Sequence, residues 1–344
     1  MILLTGANGH LGANLLRRLL ADGAKVRVLL RPNSDNSTVD GLGVERVYGD
    51  LRDPVSLTTA VAGVSQIYHC AALISTMGGD EQSLFAINVL GTRNLLYAAK
   101  QAGVGRIVVS GSLSAVGHRP DRPTDETEPF NPFEPHLPYA FSKAGVEQEC
   151  LKAAVEGLDV VIAISCAILG PYDFKPSRMG ELLVKYANGR QWAYVPGGFE
   201  FVAARDIVEG HILAMRYGRA GQRYIFSTCF MTLDDIFELY SELIGRPKPL
   251  RLSPALAIGA AATSELMCRH FLPGRRPLLT AAAVRLLRIG RRADTAKAQR
   301  ELGFRPTSIA NAVREAYQWF VASGKINPSR APAALGQAVR SQPD

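Results

Sequence analysis

The chain has 344 residues, 47% of them hydrophobic, enough to bury one large core or two coupled ones. The net charge of +8 comes largely from arginines between Arg269 and Arg305; without interleaved aromatics or a reading motif they argue against nucleic acid and for a solvated basic face. Five scattered cysteines with no CxxC pair, and six dispersed histidines, exclude a disulfide framework and give no metal cluster.

A short apolar strand, Ile2–Thr5, opens the chain and runs into Thr5-Gly6-Ala7-Asn8-Gly9-His10-Leu11-Gly12. Its early start leaves no room for a signal or transit peptide, and with the cysteine usage it points to the cytoplasm. Gly6 permits a sharp exit from the strand, and Gly9 has no side chain to hold the backbone off a pyrophosphate. Gly12 lets the following helix pack closely. That helix, roughly Leu11 to Asp22, offers free N–H groups and the positive end of its dipole to phosphates. Leu11, Leu15, Leu16, Leu19 and Leu20 recur at helical spacing, so one face is buried. Strand, glycine turn and amphipathic helix in this order predict a dinucleotide site.

A second strand, Lys25–Leu30, ends at Arg31. An acidic residue there would bind the free 2′-hydroxyl of NAD, whereas an arginine accommodates the 2′-phosphate of NADP. Val28 to Ser34 contains no acid. The expectation is NADP(H), with NAD(H) as the alternative.

Further strands are predicted at Val44–Tyr48, Gln66–Cys70, Arg106–Ser110 and Asp159–Ser165, with helices at Pro54–Ala62, Gln82–Gln101 and Tyr139–Glu156. This rhythm predicts an α/β fold: a Rossmann-type, doubly wound parallel sheet over residues 1–169. From Gly170 helices dominate, at Ser177–Asn188, Asp206–Tyr217, Thr232–Ile244, Pro254–Arg269, Thr280–Arg288 and Ser308–Ser323. They predict a smaller, mainly helical substrate lobe over 170–323, with one strand near 223–227 returning to the first domain. Residues 324–344, rich in Pro, Ala and Ser, read as a disordered tail. No apolar run nears the roughly 18 residues of a membrane span. The longest, Pro254 to Thr263, reads as a buried helix of the lobe.

Tyr139-Ala140-Phe141-Ser142-Lys143 is a YxxxK placed after the glycine turn and the fifth strand. Gly49-Asp50-Leu51-Arg52-Asp53, His69-Cys70-Ala71-Ala72, Asn88-Val89-Leu90-Gly91-Thr92-Arg93-Asn94 and Ser110-Gly111-Ser112 lie between them in order. The ordered set resembles the extended short-chain dehydrogenase/reductases, the NAD-dependent epimerase/dehydratase family, over roughly residues 1 to 320. It looks most like the branch of dihydroflavonol 4-reductases, 3β-hydroxysteroid dehydrogenases and hopanoid-associated sugar epimerases. Gly170-Pro171-Tyr172-Asp173-Phe174-Lys175-Pro176 and Leu302-Gly303-Phe304-Arg305-Pro306 are similar to segments of that branch.

The resemblance implies roles residue by residue. Gly6, Asn8, Gly9, His10, Leu11 and Gly12 would cradle the cofactor, with Arg31 at the ribose. Asp50 would accept a hydrogen bond from the adenine amine and Leu51 would donate its backbone N–H. Ala71, Ala72, Ser110 and Cys166 would line the cofactor's path. Tyr139 would be the general acid for a carbonyl being reduced. Lys143, one turn on, would hold the nicotinamide ribose and stabilise the tyrosinate, which a phenol near pKa ~10 needs at neutral pH. Ser112 would hydrogen-bond the substrate oxygen. Met77, Ser114, Tyr172, Phe174, Met179, Phe199 and Phe201 would line the substrate space.

Three departures from the family pattern stand out. Gly111 replaces a common serine or threonine, which would loosen its loop, and Ser165-Cys166 replaces a proline-containing turn. The segment Gly197–Asp206 lacks the arginine that nucleotide-sugar epimerases place ahead of it to grip a diphosphate, and offers Glu200 and two phenylalanines. The implied activity is reduction of a hydrophobic, aromatic or polycyclic ketone with NADP(H), with no metal. A nucleotide-sugar epimerase or dehydratase retaining NAD is the runner-up, and a non-catalytic NADP(H)-sensing protein the third reading. A homodimer through Gln82–Gln101 and Tyr139–Glu156 and a monomer both remain open.

Overall fold

The computed structural model describes residues 1–75, 80–130, 138–253, 287 and 289–327. Met77, the expected helices at 254–269 and 280–288 (Leu287 apart), and the tail beyond 327 lie outside the described residues.

Twelve strands occur among the described residues: β1 Ile2–Thr5, β2 Val26–Leu30, β3 Glu45–Tyr48, β4 Gln66–His69, β5 Arg106–Ser112, β6 Val160–Ser165, β7 Ala167–Leu169, β8 Ala193–Tyr194, β9 Gly198–Ala203, β10 Arg223–Phe226, β11 Cys229–Thr232 and β12 Leu250–Arg251. Seven form one parallel sheet in the order β10-β6-β5-β4-β1-β2-β3. The order reverses at β1, which pairs with β2 on one side and β4 on the other. The carboxyl ends of β1 and β4 therefore open a crevice, the place where such sheets bind ligands. The strand expected to return does so: Arg223–Phe226 pairs with Ile162–Ser165 of β6.

The helices are α1 His10–Ala21, α2 Pro54–Val61, α3 Glu81–Leu84, α4 Gly91–Gln101, α5 Pro138–Val155, α6 Arg178–Ala187, α7 Ala204–Tyr217, α8 Leu233–Ile244, α9 Ala296–Leu302 and α10 Ile309–Ala322. A π-helical turn, Phe85–Leu90, joins α3 to α4. Residues along each strand of the large sheet alternate between its two faces. Leu3, Ile107 and Val109 pack with Leu57, Leu95 and Val146 from α2, α4 and α5. Leu4 and Val108 pack with Leu15, Ile207 and Leu302 from α1, α7 and α9. Burial on both faces is why these strands read as continuous apolar runs.

A third core gathers Leu183, Phe201, Phe237, Tyr240, Val313 and Phe320. It is built by helices and also by a three-stranded sheet, β11-β9-β7, for which the sequence predicts no strands. α9 was likewise unanticipated.

Candidate active site

The glycine turn closes against the end of β4. Gly6 has φ +77°, and a Cβ there would lie 2.5 Å from Ala71 N. A Cβ on Gly12 would collide with the Gly6 carbonyl oxygen. Both positions admit only hydrogen, so Gly12 serves the turn itself as much as helix packing on the sheet. The turn borders a groove of about 290 Å³ at the crevice, lined by Gly6–Gly9, Leu29–Arg31, Ser34, Gly49–Leu51, Cys70–Leu73, Ile87 and Lys175. Arg31, Asp50, Leu51, Ala71 and Ala72 thus come together as expected, and Ser34, Ile87 and Lys175 are additions. The Asn8 Oδ1 is buried there without a hydrogen-bond partner, while its Nδ2 donates to Asn36 Oδ1 at 2.6 Å. A bare backbone turn, a lone acceptor and an arginine fit a dinucleotide that brings phosphates and ribose hydroxyls. Asp50 is engaged by Arg52 through two side-chain hydrogen bonds of 2.9 and 2.8 Å, which hold its carboxyl down to about 2.

At the end of β5 stand the reacting candidates. Pro138 at the start of α5 puts Tyr139 in the first turn and Lys143 one turn later. The Ser112 hydroxyl lies beside the Tyr139 phenol and meets Ser114 Oγ at 2.8 Å. Burial pushes the phenol up to about 12, and the nearby Ser112 hydroxyl acts in the opposite direction. Lys143 is buried and donates to the Ser110 carbonyl at 2.6 Å. Burial lowers its pKa and the nearby Glu147 carboxylate raises it. The phenol therefore stays protonated at neutral pH with a cation on the same helix face, an arrangement able to donate a proton and stabilise the anion left behind.

Several supporting residues have no role assigned from the sequence, although His69, Asn88 and Thr92 lie inside its motif segments. Thr92 donates to the Asn88 carbonyl at 2.6 Å, so its oxygen accepts from His69 Nε2 at 3.0 Å. His69 Nδ1 then accepts from Thr5 Oγ1 at 2.7 Å, and that oxygen accepts from Ala71 N–H. The chain of bonds ties β1, β4 and α4 at the base of the crevice. Burial depresses His69 to about 3, with Lys143 adding to the effect. Asn88, in the π-turn, exchanges two bonds with the Leu73 backbone and donates to Ser142 beside Tyr139. His211 Nδ1 donates to the Ile207 carbonyl, which leaves Nε2 to accept from the Ser110 hydroxyl at 2.8 Å. Burial lowers it to about 4. Glu147, fully buried one turn beyond Lys143, pairs with Arg223 at 3.2 Å; burial nevertheless raises it to about 7. Gly111 lies within β5, where a Cβ would press on Ile162 and Ile164 at 3.0 Å, so the glycine tightens the strand rather than loosening a loop.

Other expected residues are placed elsewhere. Phe201 has no exposed surface and packs in the third core, with Phe199 edge-on at 6.2 Å; it is a core residue, not a pocket wall. Met179 packs against the same core. Tyr172 and Phe174 stack at 6.4 Å and are covered by the Arg17 guanidinium and by Trp319, so their rings are engaged by α1 and α10. The His10 ring turns from the groove to the Pro171 carbonyl at 3.0 Å, leaving only its backbone at the helix start. The half-buried Cys166 lies by Ser227, and desolvation pushes its thiol's pKa up; it is not among the residues lining this groove. Glu200 is a structural tie, accepting from Ser227 Oγ at 2.6 Å and Ala293 N–H at 3.2 Å.

The family model described as "NAD dependent epimerase/dehydratase family" matches residues 2–226. The chain belongs to that family. Among its relatives is sterol demethylase protein B of Methylococcus capsulatus, 45% identical over 325 residues, which cover 94% of this chain and 99% of the relative. The 4-hydroxy-2-methyl-3-oxo-4-farnesyl-3,4-dihydroquinoline-1-oxide ketoreductase of Stigmatella aurantiaca is 31% identical, covering 87% of this chain and 90% of its own. The crystal structure of gox2253 superposes with a TM-score of 0.83 at 34% identity, over 95% of this chain and 99% of that one. The protein is thus an NAD(P)-dependent oxidoreductase of the epimerase/dehydratase family, with the Rossmann-type fold. Among the described residues, no helix is long and apolar enough to cross a membrane.

Proposed function

We propose that this family member reduces the carbonyl of a hydrophobic, polycyclic or aromatic ketone with NADPH. The observation that carries the reading is the grouping of Ser112, Tyr139 and Lys143 at the end of β5, with the Ser112 hydroxyl beside the phenol and Lys143 held by the Ser110 carbonyl. The glycine turn and the start of α1 would hold the pyrophosphate, Arg31 the 2′-phosphate, and Asp50 and Leu51 the adenine. Ala71 and Ala72 would back the cofactor, and Lys143 would hold the nicotinamide ribose. Reduced nicotinamide, when bound, supplies a hydride to a carbonyl carbon. Ser112 orients the substrate oxygen, Tyr139 gives it a proton, and the Lys143 ammonium stabilises the resulting tyrosinate. His211 and the Ser110 backbone position Lys143 from behind.

Two observations support the substrate class. No arginine lies between Gln191 and Ala204 to grip a sugar nucleotide's diphosphate. The relatives include one named for sterol demethylation and one for ketoreduction of a farnesylated quinoline. A site of that kind binds through buried apolar area at about 25 cal/mol per Å². Calorimetry on the NADP-loaded protein tests it: ring ketones of the steroid class are expected to bind in the micromolar range. UDP-glucose and UDP-galactose are expected to give no heat at millimolar concentration. Clear UDP-sugar binding would favour the epimerase reading instead.

A further inference from the structure

The segment 170–177 leaves β7 and runs along the edge of the cofactor groove, gripped by α1 along its length. His10 Nε2 and Asn14 Nδ2 both meet the Pro171 carbonyl, at 3.0 and 2.8 Å. The Arg17 guanidinium lies 4.4 Å from the Tyr172 ring centre and 5.1 Å from that of Phe174. Tyr172 is held at φ +59°, a conformation that costs a non-glycine residue energy and persists only where its surroundings fix it. Asp173 is buried and accepts from the Ser177 N–H at 2.8 Å. Lys175, by contrast, is exposed and lines the groove with Arg31, Ser34 and Asp50.

The charges around it are unevenly matched. Arg52 already engages Asp50 with two hydrogen bonds. Asp35, in the loop that follows Arg31, is kept ionised first by hydrogen bonds from Ser37 and then by the nearby Lys175 ammonium. Arg31 and Lys175 thus approach the same end of the groove from two different parts of the fold. An ammonium and a guanidinium lining one groove make a site for a dianion.

We propose that Lys175 is a second cationic arm for the 2′-phosphate of NADP(H), reaching from the lobe side of the groove to face Arg31. The inference rests on the NADP(H) reading and adds to it a specificity-determining residue that lies 144 positions along the chain from Arg31. NADPH would then bridge the sheet and the 170–177 segment, as NADH cannot.

The test uses the full chain with Lys175→Met and Lys175→Gln, titrated by calorimetry with NADPH, NADH and 2′,5′-ADP, after thermal unfolding has shown that the variants fold. Affinity for NADPH and 2′,5′-ADP is expected to fall on the order of 10- to 100-fold, with NADH within about twofold of wild type. The NADPH loss is expected to shrink as salt is raised. Equal losses for NADPH and NADH would place Lys175 on the pyrophosphate and overturn the proposal, as would no loss at all. A wild-type protein without preference for NADPH would sink the cofactor reading itself. A wild type that prefers NADPH while Lys175→Met keeps that preference would sink Lys175 alone.

Discussion

A phenol gives up a proton at neutral pH only where the anion left behind is stabilised. Tyr139 is half-buried at the start of α5, and desolvation pushes its pKa up to about 12, so in the free protein it is the acid form that waits. Lys143 stands on the same helix face; burial lowers its pKa, and Glu147, where ionised, opposes that shift. Arg31 is exposed, and its backbone carbonyl accepts from Ser34 and Asn36, so the proposed role falls to its guanidinium. Arg31→Ala should therefore weaken NADPH by about 1.5–3 kcal/mol and leave NADH affinity nearly unchanged. Direct titration of both cofactors checks it, and equal losses would count against the 2′-phosphate assignment. For Tyr139→Phe, the expected result is turnover reduced by roughly 10²–10⁴-fold with NADPH affinity retained. A variant as fast as wild type on its ketone would remove the phenol from the chemistry.

At the scale of elements, the crevice is braced by polar bonds that run between them. Thr92 on α4 accepts from His69 on β4, which accepts from Thr5 on β1. Replacing Thr92 by Val keeps the shape but strands the buried His69 N–H and the Asn88 carbonyl, and should cost about 1–3 kcal/mol by urea denaturation. A loss within error of zero would mean that water or a shifted side chain repairs the break. Asn88 sits in the π-turn, a distortion often found at functional sites, and links Leu73 to Ser142 on α5. The sequence made the large sheet legible because β1, β4, β5 and β6 are apolar on both faces and separated by amphipathic helices. It also placed the glycine turn, Arg31, Asp50 and the Ser112–Tyr139–Lys143 group, because motif order carries their positions. It did not reveal β7 and β11, of three and four residues, or β9, whose run opens on Gly198 and carries Glu200 among its apolar residues. Phe201 was mistaken for a pocket wall because an apolar residue near a site and one in the core look alike until packing is known. His69, His211 and Lys175 matter through neighbours that only the fold supplies.

For the whole molecule, the buried ionisable groups give stability a worked pH dependence. Glu147, raised to about 7, holds its proton in the native state over a range where the unfolded chain has released it. Its contribution is therefore fully present below its unfolded value and is lost as pH rises towards about 7. His211 and His69, depressed to about 4 and about 3, act oppositely: their contribution is present above the unfolded histidine value and is lost as pH falls towards those figures. Glu147 also faces Arg223 and Lys143, so Glu147→Gln keeps an acceptor for Arg223 while removing the titration. Urea denaturation at about pH 5 and about pH 8 should show the variant gaining stability relative to wild type at the higher pH. An identical pH dependence in the two proteins would mean that Glu147 is ionised throughout. The central claim, hydride delivery to a hydrophobic ketone, is tested most directly by following a deuterium label from NADPH. The protein is mixed with stoichiometric deuterated NADPH and a ring ketone, and the products are read by mass spectrometry. Deuterium is expected on the carbinol carbon with one NADPH oxidised per alcohol formed. A cofactor that stays bound and unconsumed while a nucleotide sugar is epimerised would contradict it.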